Sequence, residues 1–281
     1  GSYIFPSVSL PITLTAAQTW KLNGADLGFF GTISGNFALT MAISNQAQPS
    51  FFSSVGVTSL TVTGSDVINT GNFAGANGYV DMQQGSSLNA PLTVSRTYFS
   101  DYGSGSVGSL TTSGANVTVG VSGPGGTLPV QGNLTLDARS VVTYSGFLTP
   151  GTAGTNYPQI TSSGTTNLGD AQLGDVYAQC NQTAGTAYTL VSASGGLTGE
   201  FYFDNYYTGK SGPIANGDIV QTQPAPGSCQ SAGATPPELQ ISYTSNSVVA
   251  TVVAPAVARP ASPPAAATLT RDGAGYAWRV G

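Results

Sequence analysis

Histidine is absent from this 281-residue chain, and charge is scarce: seven Lys and Arg and twelve Asp and Glu make up 7% of the residues, against about a quarter in an average domain. Without an imidazole, neither a Ser-His-Asp nor a Cys-His nucleophile can be assembled, and the commonest metal ligand is missing. The two cysteines are too few to hold a metal by themselves. There is no Gly-x-x-x-x-Gly-Lys phosphate loop, and no Gly-x-Ser-x-Gly elbow in a strand-to-helix setting. A net charge of -5, with the basic residues scattered, argues against nucleic-acid binding, which needs clustered Lys and Arg. The longest nearly apolar run, Val248 to Val257, is too short to cross a bilayer and contains Pro255, so no transmembrane segment is expected. Long Leu- or Ala-rich stretches of helical period are also lacking, which leaves little from which to build helices.

What remains is a hydrophobic content of 40% and 38 glycines. Disorder combines low hydrophobicity with high charge, so this chain can bury a core. Thr, Val, Tyr and Phe suit strands. Short apolar runs recur between turn residues: Ile12 to Thr15, Phe37 to Ile43, Thr58 to Thr63, Pro91 to Ser95, Ser109 to Thr112, Val117 to Val121, Asn133 to Leu136 and Ser140 to Tyr144. Many carry Leu-Thr followed by Val or Leu. No strict repeat length exists, yet the recurrence suggests an all-β solenoid whose coils bury Leu, Val and Ile and turn Thr and Ser to water. A sandwich is the alternative. Residues 45 to 56, 96 to 108 and 201 to 210 interrupt the pattern and read as loop excursions from the β body. Glu238 to Tyr243 and Ser247 to Val253 read as a hairpin joined by Thr244 to Asn246.

From Tyr157 onward the order is Gln159-Ile160, Leu168-Gly169, Ala171-Gln-Leu173, Gly185 to Ser192, Leu197 to Phe201, Leu239 to Tyr243 and Val248 to Val253. This order resembles the C-terminal end of autotransporter-type passenger domains of bacterial surface proteins. Upstream, Leu14-Thr-Ala-Ala-Gln-Thr-Trp20, Leu27, Gly31 to Gly35 and Leu39 look like that family's passenger-associated repeat. The resemblance covers residues 14 to 40 loosely and 150 to 253 more fully. It implies a single right-handed parallel β-helix ending in a β cap, on a secreted or cell-surface shaft. The expected organisation is then a tag or lead-in over 1–9, where Gly1-Ser2 looks like a cloning remnant, a β-helix body over 10–156, a C-terminal cap with an inserted loop over 157–253, and a Pro/Ala linker and tail over 254–281. A cysteine pair and a Pro/Gly-rich insert before the last hairpin depart from the family pattern.

In an extracellular setting Cys180 and Cys229 could form a disulfide, which chain entropy would credit with about 4 kcal/mol. Their polar flanks favour this over two buried thiols. The expected function is a non-enzymatic extracellular adhesin or surface-binding passenger that contacts glycan or protein on a host, matrix or neighbouring cell, with no cofactor. Its candidate contact residues are the aromatic-rich Tyr202, Asp204, Asn205, Tyr206 and Tyr207, and the second excursion with Arg96, Tyr98, Phe99 and Tyr102. Closure of the solenoid end by the same aromatics is the competing explanation.

The alternatives are a β-helix polysaccharide lyase or glycoside hydrolase, or a purely structural stalk. Hydrolysis needs two carboxylates about 5 to 10 Å apart, whereas Asp170 and Asp175 alternate to opposite faces of a straight strand and suit turns beside Gly169 and Gly174. Arg96 near Asp101 is the one pairing that suggests a lyase, and a loop salt bridge explains it equally well. An ice-binding face would need Thr-x-Thr ranked over many coils. Only Thr13-Leu-Thr15 and Thr61-Val-Thr63 qualify clearly by spacing, which favours ordinary solvent-facing threonines.

Overall fold

In the computed structural model the described residues are 6–24, 26–45, 47–64, 79–82, 86–101, 105–119, 125–205, 210–225, 227–228, 236–253, 268–272 and 275–279. All regular structure among them is β-strand. The fold is all-β and built around two long parallel sheets. The first joins, in parallel and in sequence order, Ser7–Val8, Asp26–Phe29, Gln48–Phe51, Tyr79–Met82, Tyr98–Asp101, Asn116–Val119, Val141–Leu148, Gln172–Ala178 and Tyr202–Asn205. The second has two columns. One runs through Ile12–Thr13, Ile33–Ser34 and Val55–Gly56, the other through Gln18–Asn23, Ala38–Ser44 and Ser59–Thr63. They merge in Ser87–Ser95, which pairs with both Val55–Gly56 and Ser59–Thr63 and then with Ser106–Ser113. Beyond it they part again into Thr127–Val130, Gln159–Ser162 and Ala187–Ala193, and into Leu134–Thr135, Thr166–Asn167 and Leu197–Thr198.

The chain therefore visits one strand of the first sheet, then the first column, then the second column, and begins again. Side chains 21 or 22 residues apart meet directly in the early circuits: Thr13 with Ser34 at 3.5 Å, and Asn45 Nδ2 donating to Asn23 Oδ1 at 2.5 Å. Later the separation lengthens to 32, where the Thr165 amide donates to Asn133 Oδ1 at 3.0 Å. This drift explains why no fixed repeat length is visible in the sequence.

In-register parallel pairing stacks like on like. Leu39, Leu60, Leu92, Leu110 and Leu134 follow one another down the second column, each almost fully buried. Ile33, Val55, Leu88 and Val107 do the same in the first column, preceded by a half-buried Ile12. Opposite them, Val80, Phe99, Val117, Val142 and Leu173 line the first sheet, and Trp20, Phe29 and Phe51 stack with centroids 5.6 and 5.4 Å apart. Thr166 takes the next place in the leucine column, wholly buried, and its hydroxyl is satisfied by donating to Ser162 Oγ at 3.0 Å.

Two expected excursions lie within the stack instead. Gln48–Phe51 alternates outward Gln48 and Ser50 with buried Pro49 and Phe51, a period of two that four residues display too briefly to recognise. Tyr98–Asp101 sits between Tyr79–Met82 and Asn116–Val119, paired on both edges. The parallel arrangement also continues well past Tyr157. In the second sheet antiparallel pairing begins only where Ser247–Val252 adds to Ala187–Ala193, followed by Glu238–Tyr243 and Ile219–Gln221; the first two of these added strands are the expected hairpin. Cys180 is disulfide-bonded; Cys229, the other cysteine of the expected pair, lies outside the described residues. Residues 254–267 of the expected linker also lie outside them, while Thr268–Asp272 and Gly275–Arg279 form a hairpin.

Glycines stack where the two columns part. A Cβ on Gly132 would lie 2.5 Å from Gly108 O, one on Gly164 2.8 Å from Gly132 O, and one on Gly195 2.5 Å from Gly164 C. Backbone there meets backbone, which cannot yield as a side chain would. Gly164→Ala is expected to lower stability in urea unfolding by about 1 to 3 kcal/mol, and Leu92→Ala by about 2 to 5 kcal/mol through the cavity left in its column. Gly56→Ala, with only Ile33 O at 3.9 Å, should leave the midpoint unchanged or slightly raised.

Candidate functional site

The expected contact residues separate into distinct fates. Phe99 is completely buried and Tyr98 is 7% exposed, so both serve the wall of the first sheet. Arg96 is exposed, in a tight turn with φ of 50°, and its amide donates to Ser113 O at 3.1 Å. Tyr102, Tyr206 and Tyr207 lie outside the described residues. Tyr202, half-buried, opens the strand Tyr202–Asn205, which pairs antiparallel with Lys210–Pro213 so that Asp204 faces Ser211 and Asn205 faces Lys210 along the backbone. The strands of Tyr98 and Tyr202 lie four steps apart in the first sheet.

What surrounds the Tyr202 hairpin was not legible as a site. Phe203, Ser211, Pro213, Ile214, Asp218 and Ile219 line a shallow groove of about 480 Å³. Ile219, 55% exposed, contributes its aliphatic side chain to the groove wall. Beside it, Asp218 Oδ2 accepts from the Ala215 amide at 2.8 Å, which fixes the carboxylate at the rim. The groove combines apolar walls with one oriented carboxylate and a serine. This arrangement suits contact with a partner that presents both apolar and hydroxyl groups. No signal short of the antiparallel pairing of Ile219–Gln221 with Glu238–Tyr243 could have placed Ile219 next to Phe203.

Buried hydroxyls hold this end of the molecule rigid. Tyr243 Oη accepts from the Phe201 amide at 3.0 Å, tying the last hairpin to the start of the Tyr202 strand. Tyr144, wholly buried, donates across the core to Leu190 O at 3.1 Å. Tyr157 packs edge-on against Tyr188 with centroids 5.0 Å apart, and Tyr188 donates to Gln182 Oε1. Burial pushes the Tyr243 hydroxyl up to about 12. Burial, together with the neighbouring Tyr157, does the same to Tyr188, up to about 12, while Tyr144 rises further for the first reason alone.

A second exposed apolar feature lies in the early circuits. The rings of Phe30 and Phe52 stack at 4.2 Å with 8° between their planes, while 50% and 37% exposed. Among the described residues no group of three His, Cys, Asp or Glu side chains is placed to hold a metal. Asp170 sits in a left-handed turn with φ of 58°, and burial raises the Asp175 carboxyl above its usual range. No helix of the described residues is long and apolar enough to cross a membrane.

No protein-family model matches the chain, and no curated protein matches it significantly.

The raised tyrosines give the antiparallel end an alkaline liability. A folded value near 12 for Tyr188 and Tyr243, against an ordinary value near 10, means that their contribution is fully present below pH 10 and is lost as pH rises toward 12. Thermal melts followed by circular dichroism should show the midpoint falling across that interval. Tyr243→Phe should flatten the fall while lowering stability at neutral pH by about 1 kcal/mol for the lost hydrogen bond.

Proposed function

We propose that the two parallel sheets are the walls of a single right-handed parallel β-helix, closed by the antiparallel strands at its C-terminal end, and that it acts as a non-enzymatic extracellular adhesin or surface-binding passenger. The repeated order of first sheet, first column and second column supports the helical reading. Parallel crossovers of this kind are right-handed in nearly all cases, and the autotransporter-type resemblance over residues 14 to 40 and 150 to 253 points the same way. A disulfide at Cys180 suits an oxidising compartment outside the cytosol.

One observation carries the binding reading: the groove of Phe203, Pro213, Asp218 and Ile219, at the end of the molecule where Tyr243 Oη accepts from the Phe201 amide. Affinity concentrates in a few well-held aromatic and aliphatic anchors. A glycan or protein on a host, matrix or neighbouring cell surface is the partner class that such a groove accommodates.

Adherence to cultured cells and binding to a glycan array test this together. Ile219→Ala combined with Tyr206→Ala and Tyr207→Ala is expected to weaken binding about tenfold or more without lowering the melting temperature. A wild-type chain that binds neither cells nor glycans, or a triple variant that binds as well as wild type, overturns the assignment.

A further inference from the structure

The register of the second column places threonine directly over threonine on its outer surface. Thr19, Thr40, Thr61, Thr93, Thr111 and Thr135 pair in succession, followed by Asn167 and Thr198. Each precedes or follows a side chain directed into the core, and none is buried. The hydroxyls of the first six make no hydrogen bond with any described residue. Only the end of the rank is engaged, with Asn167 Oδ1 accepting from the Gly169 amide at 3.1 Å and Thr198 donating to Thr166 O at 3.4 Å.

Flanking ranks extend this line into a surface. Two residues further along each strand stand Lys21, Ala42, Thr63, Ser95 and Ser113, in register with one another. On the other side Ala38 pairs with Ser59, and Pro91 with Ser109. From Thr19 to Thr111 these three ranks hold one charge, Lys21, at the first rung. The single ring in these rungs, Trp20, stacks inward on Phe29. Among the described residues of these rungs there is no aromatic platform of the kind that sugar recognition uses.

We propose that this threonine rank is an ice-binding face. Parallel strands repeat about every 4.8 Å across the sheet, and alternate residues about every 6.6 Å along it, close to the oxygen repeats of hexagonal ice. Threonine presents both a hydroxyl that anchors a water at a fixed point and a methyl that excludes water beside it. Its branched β-carbon restricts χ1, so successive rungs can share one orientation at little entropic cost. A repeating array recognises a repeating ligand, and a neutral array matches a lattice that offers charges no counterion. Many weak and identical contacts on a rigid backbone then add without the ordering cost that loops incur. This inference rests on the register of the second column and is independent of the groove at the antiparallel end.

Partition of the chain into slowly growing ice, with inhibition of ice recrystallisation as a second readout, tests it. Wild type is expected to enter the ice and to slow recrystallisation. The double variant Thr61→Lys, Thr93→Lys, which sets two bulky charges mid-rank, is expected to lose the ice-bound fraction about tenfold or more. Thr32→Lys, on an exposed turn away from the rank, and Ile219→Ala in the groove should both partition as wild type. Circular dichroism melts confirm that each variant folds. Should the double variant fail to fold, Thr61→Val with Thr93→Val keeps the shape and removes two hydroxyls, with a smaller loss expected. Exclusion of wild type from ice, or equal partition of folded rank variants and wild type, overturns the proposal. So does binding of wild type to an insoluble polysaccharide, but not to ice, when that binding is lost in the rank variants.

Discussion

Everything in this molecule depends on parallel register. When a strand pairs in parallel with the same segment of the next circuit, each side chain lies beside its counterpart about 4.8 Å away. The core then becomes a set of columns rather than a jumble of contacts. Leu39, Leu60, Leu92, Leu110 and Leu134 form one of these, and a slip of one residue at any rung would turn its leucine to water and its threonine inward. The cost of that slip fixes the outer surface as firmly as the inner one. The order of the exposed hydroxyls is thus a by-product of hydrophobic burial.

Corners and ends impose the remaining constraints. Where the two columns diverge, successive backbones come so close that Gly108, Gly132, Gly164 and Gly195 stack without room for a Cβ. Between corners, small polar residues bridge neighbouring circuits. Asp137 Oδ1 accepts from the Gly114 amide at 2.9 Å and from the Ser140 hydroxyl, whose Oγ lies 2.8 Å from Thr112 Oγ1. At the antiparallel end, Ser247–Val252 covers the edge of Ala187–Ala193, a strand edge that would otherwise present unpaired amides and carbonyls. The groove lies on the strands recruited for that closure, so the element that ends the stack also supplies the surface with the most apolar relief.

Parts of this were legible from residues alone. The strand content followed from composition and from the alternation in segments such as Thr58 to Thr63, and the hairpin of Glu238 to Val252 from its short polar connection. Gln48 to Phe51 and Tyr98 to Asp101 were not legible, because four residues with proline or polar neighbours look like loop until a paired strand appears on each side. Tyr98 and Phe99 have a composition that fits an exposed aromatic cluster and a core wall equally well; only burial separates the two. Ile219 carried no local signal at all, since its exposure arises from the strand it joins rather than from its own neighbours.

The sequence by itself determined an all-β chain with an apolar, nearly uncharged interior and polar turns, because those properties are sums over residues and short periods. Register was decided only by the tertiary structure, because partners in the second column lie from 18 to 32 positions apart at varying intervals, as with Thr93 and Thr111 or Thr61 and Thr93. The Thr-x-Thr spacing gave a poor guide for the same reason: Thr13 belongs to one column and Thr19 to another. A rank of threonines exists only across the hydrogen bonds between strands, a direction that a linear sequence does not contain.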